Sequence, residues 1–240
     1  MSPATSLRLR ILVTGTDTGV GKTYVSCLLG RGLAAAGMTV FPLKPVESGC
    51  GTGPEGNPFP ADAAALRDAM APHLPLESVC RYPLSAPLSP HLAARREGVR
   101  IDPELIREMV DTAAVASEVV LVEGAGGIAV EIREGYTFAD LARELSLSAL
   151  VIAGNRLGAL NHARLTIRYI LDAGIPLFGV VLNDLSAGTS SFMETNEDEV
   201  RRIAGNRYLG RVPFGATILP EGMITRFREF ALSPCPSIPL

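Results

Sequence analysis

Two lysines, two carboxylates and one glycine loop are the residues of this chain whose types and spacing could move a phosphoryl group. The loop is Gly15-Thr16-Asp17-Thr18-Gly19-Val20-Gly21-Lys22-Thr23, and it follows the apolar run Ile11-Leu12-Val13-Thr14. A loop of this kind wraps a polyphosphate in backbone N–H groups, and the helix N-terminus behind it adds partial positive charge. Lys22 would reach the β- and γ-phosphates of a nucleotide, and the Thr23 hydroxyl would ligate Mg²⁺. A plain glycine turn is the bland alternative. The β-prone segment before the loop and the helical pattern Tyr24 to Ala36 after it supply the context that a phosphate loop requires. Counting back from Gly21-Lys22, the usual first glycine falls on Thr16, so Gly15 stands one residue early.

The other chemistry-bearing residues follow apolar runs. Lys44-Pro45-Val46-Glu47-Ser48-Gly49 closes a strand pattern, and Pro45 biases Lys44 toward an extended backbone that aims it into a site. A solvated lysine at a strand end is the alternative. Glu123-Gly124-Ala125-Gly126-Gly127 follows Val119–Val122, and a carboxylate beside three glycines suits a hard cation in a phosphate site. Asp62 opens a helix after Phe59-Pro60-Ala61. It reads equally as a cation ligand or as a first-turn charge answering the helix dipole.

These residues must be positioned by a sheet. Short apolar runs alternate with helical patterns, which predicts an α/β fold with a doubly wound, mostly parallel sheet of the P-loop NTPase type. Strands are expected over Arg10–Thr14, Thr39–Leu43, Val119–Val122, Ala149–Ala153, Leu177–Leu182 and Tyr208–Val212. Helices are expected over Lys22–Ala36, Ala61–Ala71, Pro103–Ala116, Phe138–Ser146, Ala159–Ala173 and Asn196–Ala204. Gly37, Gly174 and Gly205 mark helix stops, and Asp102-Pro103 marks a capped start. Gly49–Pro60 and the Pro-rich Tyr82–Pro90 break the rhythm and read as loops near the carboxyl ends of strands, where ligands bind. The tail Ala231–Leu240 reads as a loose terminus.

A chain of 240 residues, 47% of them hydrophobic, can bury one large core, so residues 1–240 are read as a single domain. The net charge of −3 without a like-charge block argues against nucleic acid and anionic membranes as partners. No stretch approaches the roughly 18 apolar residues of a membrane span, and Met1 to Arg10 lacks a signal-peptide apolar region. Four scattered cysteines without a CxxC pair, and three unclustered histidines, argue against a zinc or disulfide framework and for a reducing cytoplasm.

The resemblance that unites these pieces is to the dethiobiotin synthetases. GTDTGVGKT (Gly15–Thr23), KPVESG (Lys44–Gly49), Ser89-Pro90-His91, EGAGG (Glu123–Gly127), LGALNHA (Leu157–Ala163) and Asn183-Asp184 occur in the order seen in that family, over about residues 10–215. The resemblance implies ATP- and Mg²⁺-dependent ring closure of 7,8-diaminononanoate with CO₂, through a carbamate and a carbamic–phosphoric mixed anhydride. It implies Lys22, Lys44, Thr18 and Ser48 at the reacting centre and Mg²⁺ on Thr23, Asp62 and Glu123. ATP would lie on residues 15–23, with Asn183 reading the adenine edge and Pro213 packing near the base. Gly158, Ala159, Leu160 and Asn161 would bind the substrate carboxylate from the second subunit of a homodimer. Two other readings differ at identifiable residues. Partition-type switch ATPases place a signature lysine where Asp17 stands, and cobyrinate-amidating synthetases carry an added glutamine amidotransferase domain for which 240 residues leave no room.

Overall fold

The computed structural model describes residues 8–188 and 191–232. Six strands form the central sheet: β1 (Leu9–Gly15), β2 (Val40–Leu43), β3 (Val119–Gly127), β4 (Ser148–Asn155), β5 (Leu177–Asp184) and β6 (Tyr208–Val212). Their spatial order is β2-β3-β1-β4-β5-β6, and every pairing is parallel. The chain winds outward from β1 in one direction to reach β2 and β3, then in the other to β4, β5 and β6. The carboxyl end of β1 is therefore the switch point, where a doubly wound sheet leaves a crevice for ligand.

Eight α-helices cover the sheet among the described residues: α1 (Lys22–Ala35), α2 (Ala61–Met70), α3 (Pro90–Glu97), α4 (Pro103–Ala116), α5 (Phe138–Glu144), α6 (Ala159–Asp172), α7 (Ser191–Ala204) and α8 (Met223–Leu232). Successive strand residues point to opposite faces, so each strand feeds two cores. Ile11, Val13, Leu150 and Ile152 pack with Val25 and Leu28 of α1 and Phe227 of α8. Leu12, Val122 and Val151 pack with Ile106 of α4, Leu141 of α5 and Ile167 of α6. Burial on both faces is why these strands read as unbroken apolar runs. Pro42 is tolerated because β2 lies at the sheet's edge.

All six expected strands are present, with one consequential difference. β3 runs on through Gly127, so Glu123 and the glycines after it lie inside the strand rather than beyond it. Gly15 pairs with Gly127, and a Cβ on Gly127 would stand only 3.3 Å from the Gly15 carbonyl. Small residues let the two backbones approach.

The helices differ in extent. α5 ends at Glu144, before the expected Ser146, and α7 starts at Ser191 rather than Asn196. Two helices were not expected. α3 lies at the end of the stretch read as a Pro-rich loop, although Ser89-Pro90 is a start signal and Gly98 stops it with φ 67°. α8 lies beyond the expected core, and Phe227 packs tilted against Phe178 with ring centroids 4.7 Å apart. Its apolar positions 223, 224, 227, 230 and 231 carry helical spacing. Ala231 and Leu232, expected in the tail, end α8; residues 233–240 lie outside those described.

The loop regions also hold short strands. Val46–Ser48 pairs in parallel with Tyr82–Leu84, and Gly51–Thr52 pairs antiparallel with Pro58–Phe59. No described helix is long and apolar enough to cross a membrane.

Candidate active site

A cleft of about 640 Å³ opens at the carboxyl end of β1, lined from the loop by Thr18, Gly19, Gly21, Lys22 and Thr23. Its size is in the range of small-molecule sites. Gly15 ends β1 where a Cβ would meet the Asp17 carbonyl at 2.6 Å and Lys22 Nζ at 3.2 Å. Gly21 is the N-cap of α1, with φ 84° and no side-chain cap, leaving first-turn N–H groups for an anion. Asp17 shapes the loop from outside. Its carboxylate accepts from Thr18 N at 2.7 Å and pairs with Arg156, and these two contacts hold it below the usual aspartate range.

The opposite wall is a buried charge cluster. Lys44, directly after β2, donates from Nζ to Glu123 Oε1 at 2.6 Å and to Asp62 Oδ2 at 3.1 Å. Glu123 also accepts from Thr23 Oγ1 at 2.7 Å on Oε1 and from Ser26 Oγ at 3.0 Å on Oε2. Burial alone would lower the Lys44 pKa, but the charges of Glu123 and Asp62 outweigh it and raise the group above its ordinary value. Lys22 is 8% exposed and forms no ion pair among the described residues. Burial, reinforced by the Lys44 charge, lowers its pKa.

The cluster brings Thr23, Asp62 and Glu123 together around Lys44, and Ser48 lines the same cleft with Ser89 and Pro90. A hydroxyl and two carboxylates are a fitting donor set for a hard divalent cation. Asn183, at the end of β5, is buried; its Nδ2 donates to the Val20 carbonyl at 3.0 Å, while its Oδ1 has no hydrogen-bond partner among the described residues. A buried acceptor without a partner is costly, and an amine on a nucleotide base is the kind of group that would satisfy it. Pro213 is exposed just after β6. Gly158, Ala159, Leu160 and Asn161 lie at the start of α6 and do not line this cleft. Two residues that sequence reasoning did not single out are built in. Ser26 stands one helical turn after Thr23, a spacing that places both hydroxyls toward Glu123, and Glu47 is buried beside Lys44.

A parallel doubly wound sheet with a phosphate loop at its switch point, a lysine at the head of α1 and a carboxylate on the neighbouring strand define a P-loop nucleotide-binding protein. Residues 9–221 match the AAA domain family. The ATP-dependent dethiobiotin synthetase of Anaeromyxobacter sp. is 41% identical over 202 residues, covering 84% of this chain and 88% of that one. The enzyme of the same name from Halalkalibacterium halodurans is 34% identical over 218 residues, covering 89% of each. Among solved structures, a ParA family ATPase from Chlorobium tepidum TLS aligns over 92% of this chain and 90% of its own at 17% identity, with a TM-score of 0.48. The chain belongs to the dethiobiotin synthetase family.

Proposed function

We propose that the chain carboxylates 7,8-diaminononanoate with CO₂ and closes the product to dethiobiotin, using ATP as phosphoryl donor. The observation that carries this reading is the pair of buried lysines on one phosphate-loop cleft, Lys44 locked to carboxylates and Lys22 without an ion pair among the described residues. An alkylamine resembles lysine, with a pKa of about 10.4, and is mostly protonated at neutral pH. Positive charge from both lysines favours the neutral amine and the anionic carbamate it forms with CO₂. A carbamate oxygen then takes the γ-phosphoryl group, releasing ADP and leaving a carbamic–phosphoric anhydride. The second amine attacks the carbonyl carbon, the urea ring closes and phosphate departs.

Such a transfer needs alignment and charge neutralisation more than covalent help. Lys22 would neutralise the β- and γ-phosphates, and Lys44 the carbamate. Thr18 lies on the loop beside the reacting groups, and Ser48 would donate a hydrogen bond to the substrate. Thr23, Asp62 and Glu123 would hold Mg²⁺, which when bound supplies further neutralisation of phosphate charge. Asn183 Oδ1, unpartnered among the described residues, would suit the exocyclic amine of adenine, with Pro213 beside the base.

The start of α6 serves the carboxylate of a substrate bound in a second copy of the chain. Asn161, Leu165 and Tyr169 recur every four residues on one face of α6, with Leu157 in the turn before it, and Leu157, Leu165 and Tyr169 are 85%, 61% and 42% exposed. An exposed apolar stripe of this kind suits a homodimer. The free buried thiols Cys27, Cys50 and Cys80 fit a reducing cytoplasm.

The test is phosphate release from MgATP and bicarbonate, with and without the diamine, while dethiobiotin is followed by mass. Phosphate release that depends on the diamine and matches dethiobiotin one-to-one is the expected result. ATP hydrolysis indifferent to the diamine, without product, would discard the reading.

A further inference from the structure

α2 starts without a cap of its own, because its N-cap residue is Pro60, which has no acceptor side chain. Its first-turn N–H groups nevertheless have partners. Glu47 Oε1 accepts from Asp62 N at 3.0 Å, and Glu47 Oε2 accepts from Ala63 N at 2.9 Å. Both oxygens of one carboxylate thus cap a helix that begins fourteen residues later in the chain, where the helix dipole also favours negative charge. Glu47 is 6% exposed, and a buried carboxylate is tolerated only when it is hydrogen-bonded in this way.

Glu47 is itself firmly seated. It lies in the short strand Val46–Ser48, paired with Tyr82–Leu84, and between the cleft residues Lys44 and Ser48. At the far end of α2, Met70 fits against Gly30 of α1, where a Cβ would collide with its side chain. The helix is therefore held at both ends. The residue it carries into the cleft is Asp62, whose amide is held by Glu47 and whose carboxylate meets Lys44.

We propose that Glu47 is a positioning residue: a remote cap that closes the base of the 49–60 segment and sets Asp62 in place beside Lys44, Thr23 and Glu123. The cap stands on the geometry alone; its consequence for a divalent cation rests on the role given to Asp62 above. Groups that hold a metal ligand in place typically change metal affinity by about 10- to 100-fold.

The experiment compares Glu47→Ala and Glu47→Gln with the parent in two readouts. Glu47→Gln is nearly isosteric and keeps one acceptor oxygen, so it remains informative if Glu47→Ala does not fold. The first readout is hydrogen exchange at the Asp62 and Ala63 amides, expected to quicken about tenfold in Glu47→Ala and less in Glu47→Gln. The second is Mn²⁺ binding in the presence of ADP, expected to weaken about tenfold in the same order. Unchanged exchange would overturn the cap. Faster exchange with parental Mn²⁺ affinity, or a loss of melting temperature alone, would overturn positioning. Asp62→Asn separates the two layers: if it leaves Mn²⁺ affinity unaltered, the cation role of Asp62 fails while the cap is still judged by exchange.

Discussion

Lys22 and Lys44 are both buried on one cleft, yet the two walls that carry them are built on opposite principles. Lys44 stands between two carboxylates, held by Glu123 and Asp62 from two other elements. Lys22, at the head of α1 behind the contiguous loop, is a cation held away from water with no ion pair among the described residues. The first arrangement stabilises the fold and fixes geometry. The second is the less comfortable one in the free protein and gains most when a phosphate arrives, because a desolvated cation interacts strongly with an incoming anion. The two lysines should therefore separate in stability even where they agree in activity.

Lys44→Gln is the largest break in that contrast. It leaves the Glu123 charge buried with its cation gone, so chemical denaturation should show a loss of about 3–5 kcal/mol, and turnover should be lost with it. Parental stability would mean that Lys44 is not the counter-charge the cluster depends on. Lys22→Gln should cut turnover by about 10³-fold while leaving stability equal or higher, since an unpaired buried cation is removed. Turnover within a few-fold of the parent would take Lys22 away from the reacting centre.

Smaller changes sharpen the picture at the margins. Asn161→Ala, on the α6 start, should raise the KM for 7,8-diaminononanoate by about tenfold, the worth of a single hydrogen bond at ~1.4 kcal/mol, and leave the KM for ATP unmoved. The reverse ranking would place the substrate elsewhere. Asp17→Asn should be mildest, because the Arg156 pair is solvent-exposed and worth about 1 kcal/mol or less. The Asp17 pKa is lowered by the Thr18 amide and Arg156. Its contribution is thus complete above the ordinary aspartate value of about 3.9 and is lost as pH falls through the lower folded value. The difference between variant and parent should shrink only in that acid range.

Much of the frame was legible because its signals are local. The apolar runs mark every strand of the main sheet, Asp102 caps α4 by accepting from Glu104 N at 3.0 Å, and Gly37 and Gly174 end their helices with positive φ. The loop Gly15–Thr23 is likewise contiguous, and its glycines reveal it. α3 escaped notice because two arginines and its short length gave its sequence little apolar period, and α8 because its spacing lay past the last motif. Helix α2 was legible as a helix, but nothing near Pro60 announced that its cap is Glu47.

By itself, then, the chain's sequence determined the six strands of the main sheet and six of the helices, the phosphate loop and the candidate chemistry of Lys22, Lys44 and Glu123. These depend on periodicity, turn residues and contiguous motifs, which act over a few residues. Tertiary structure alone decided that Lys44 bridges Asp62 and Glu123, that Ser26 shares Glu123 with Thr23, and that Glu47 fastens α2. It also left Asn183 Oδ1 buried without a hydrogen-bond partner among the described residues. Those outcomes turn on which distant groups lose water together. A carboxylate reads the same in sequence whether it is solvated or enclosed, and only burial forces it to find its partner.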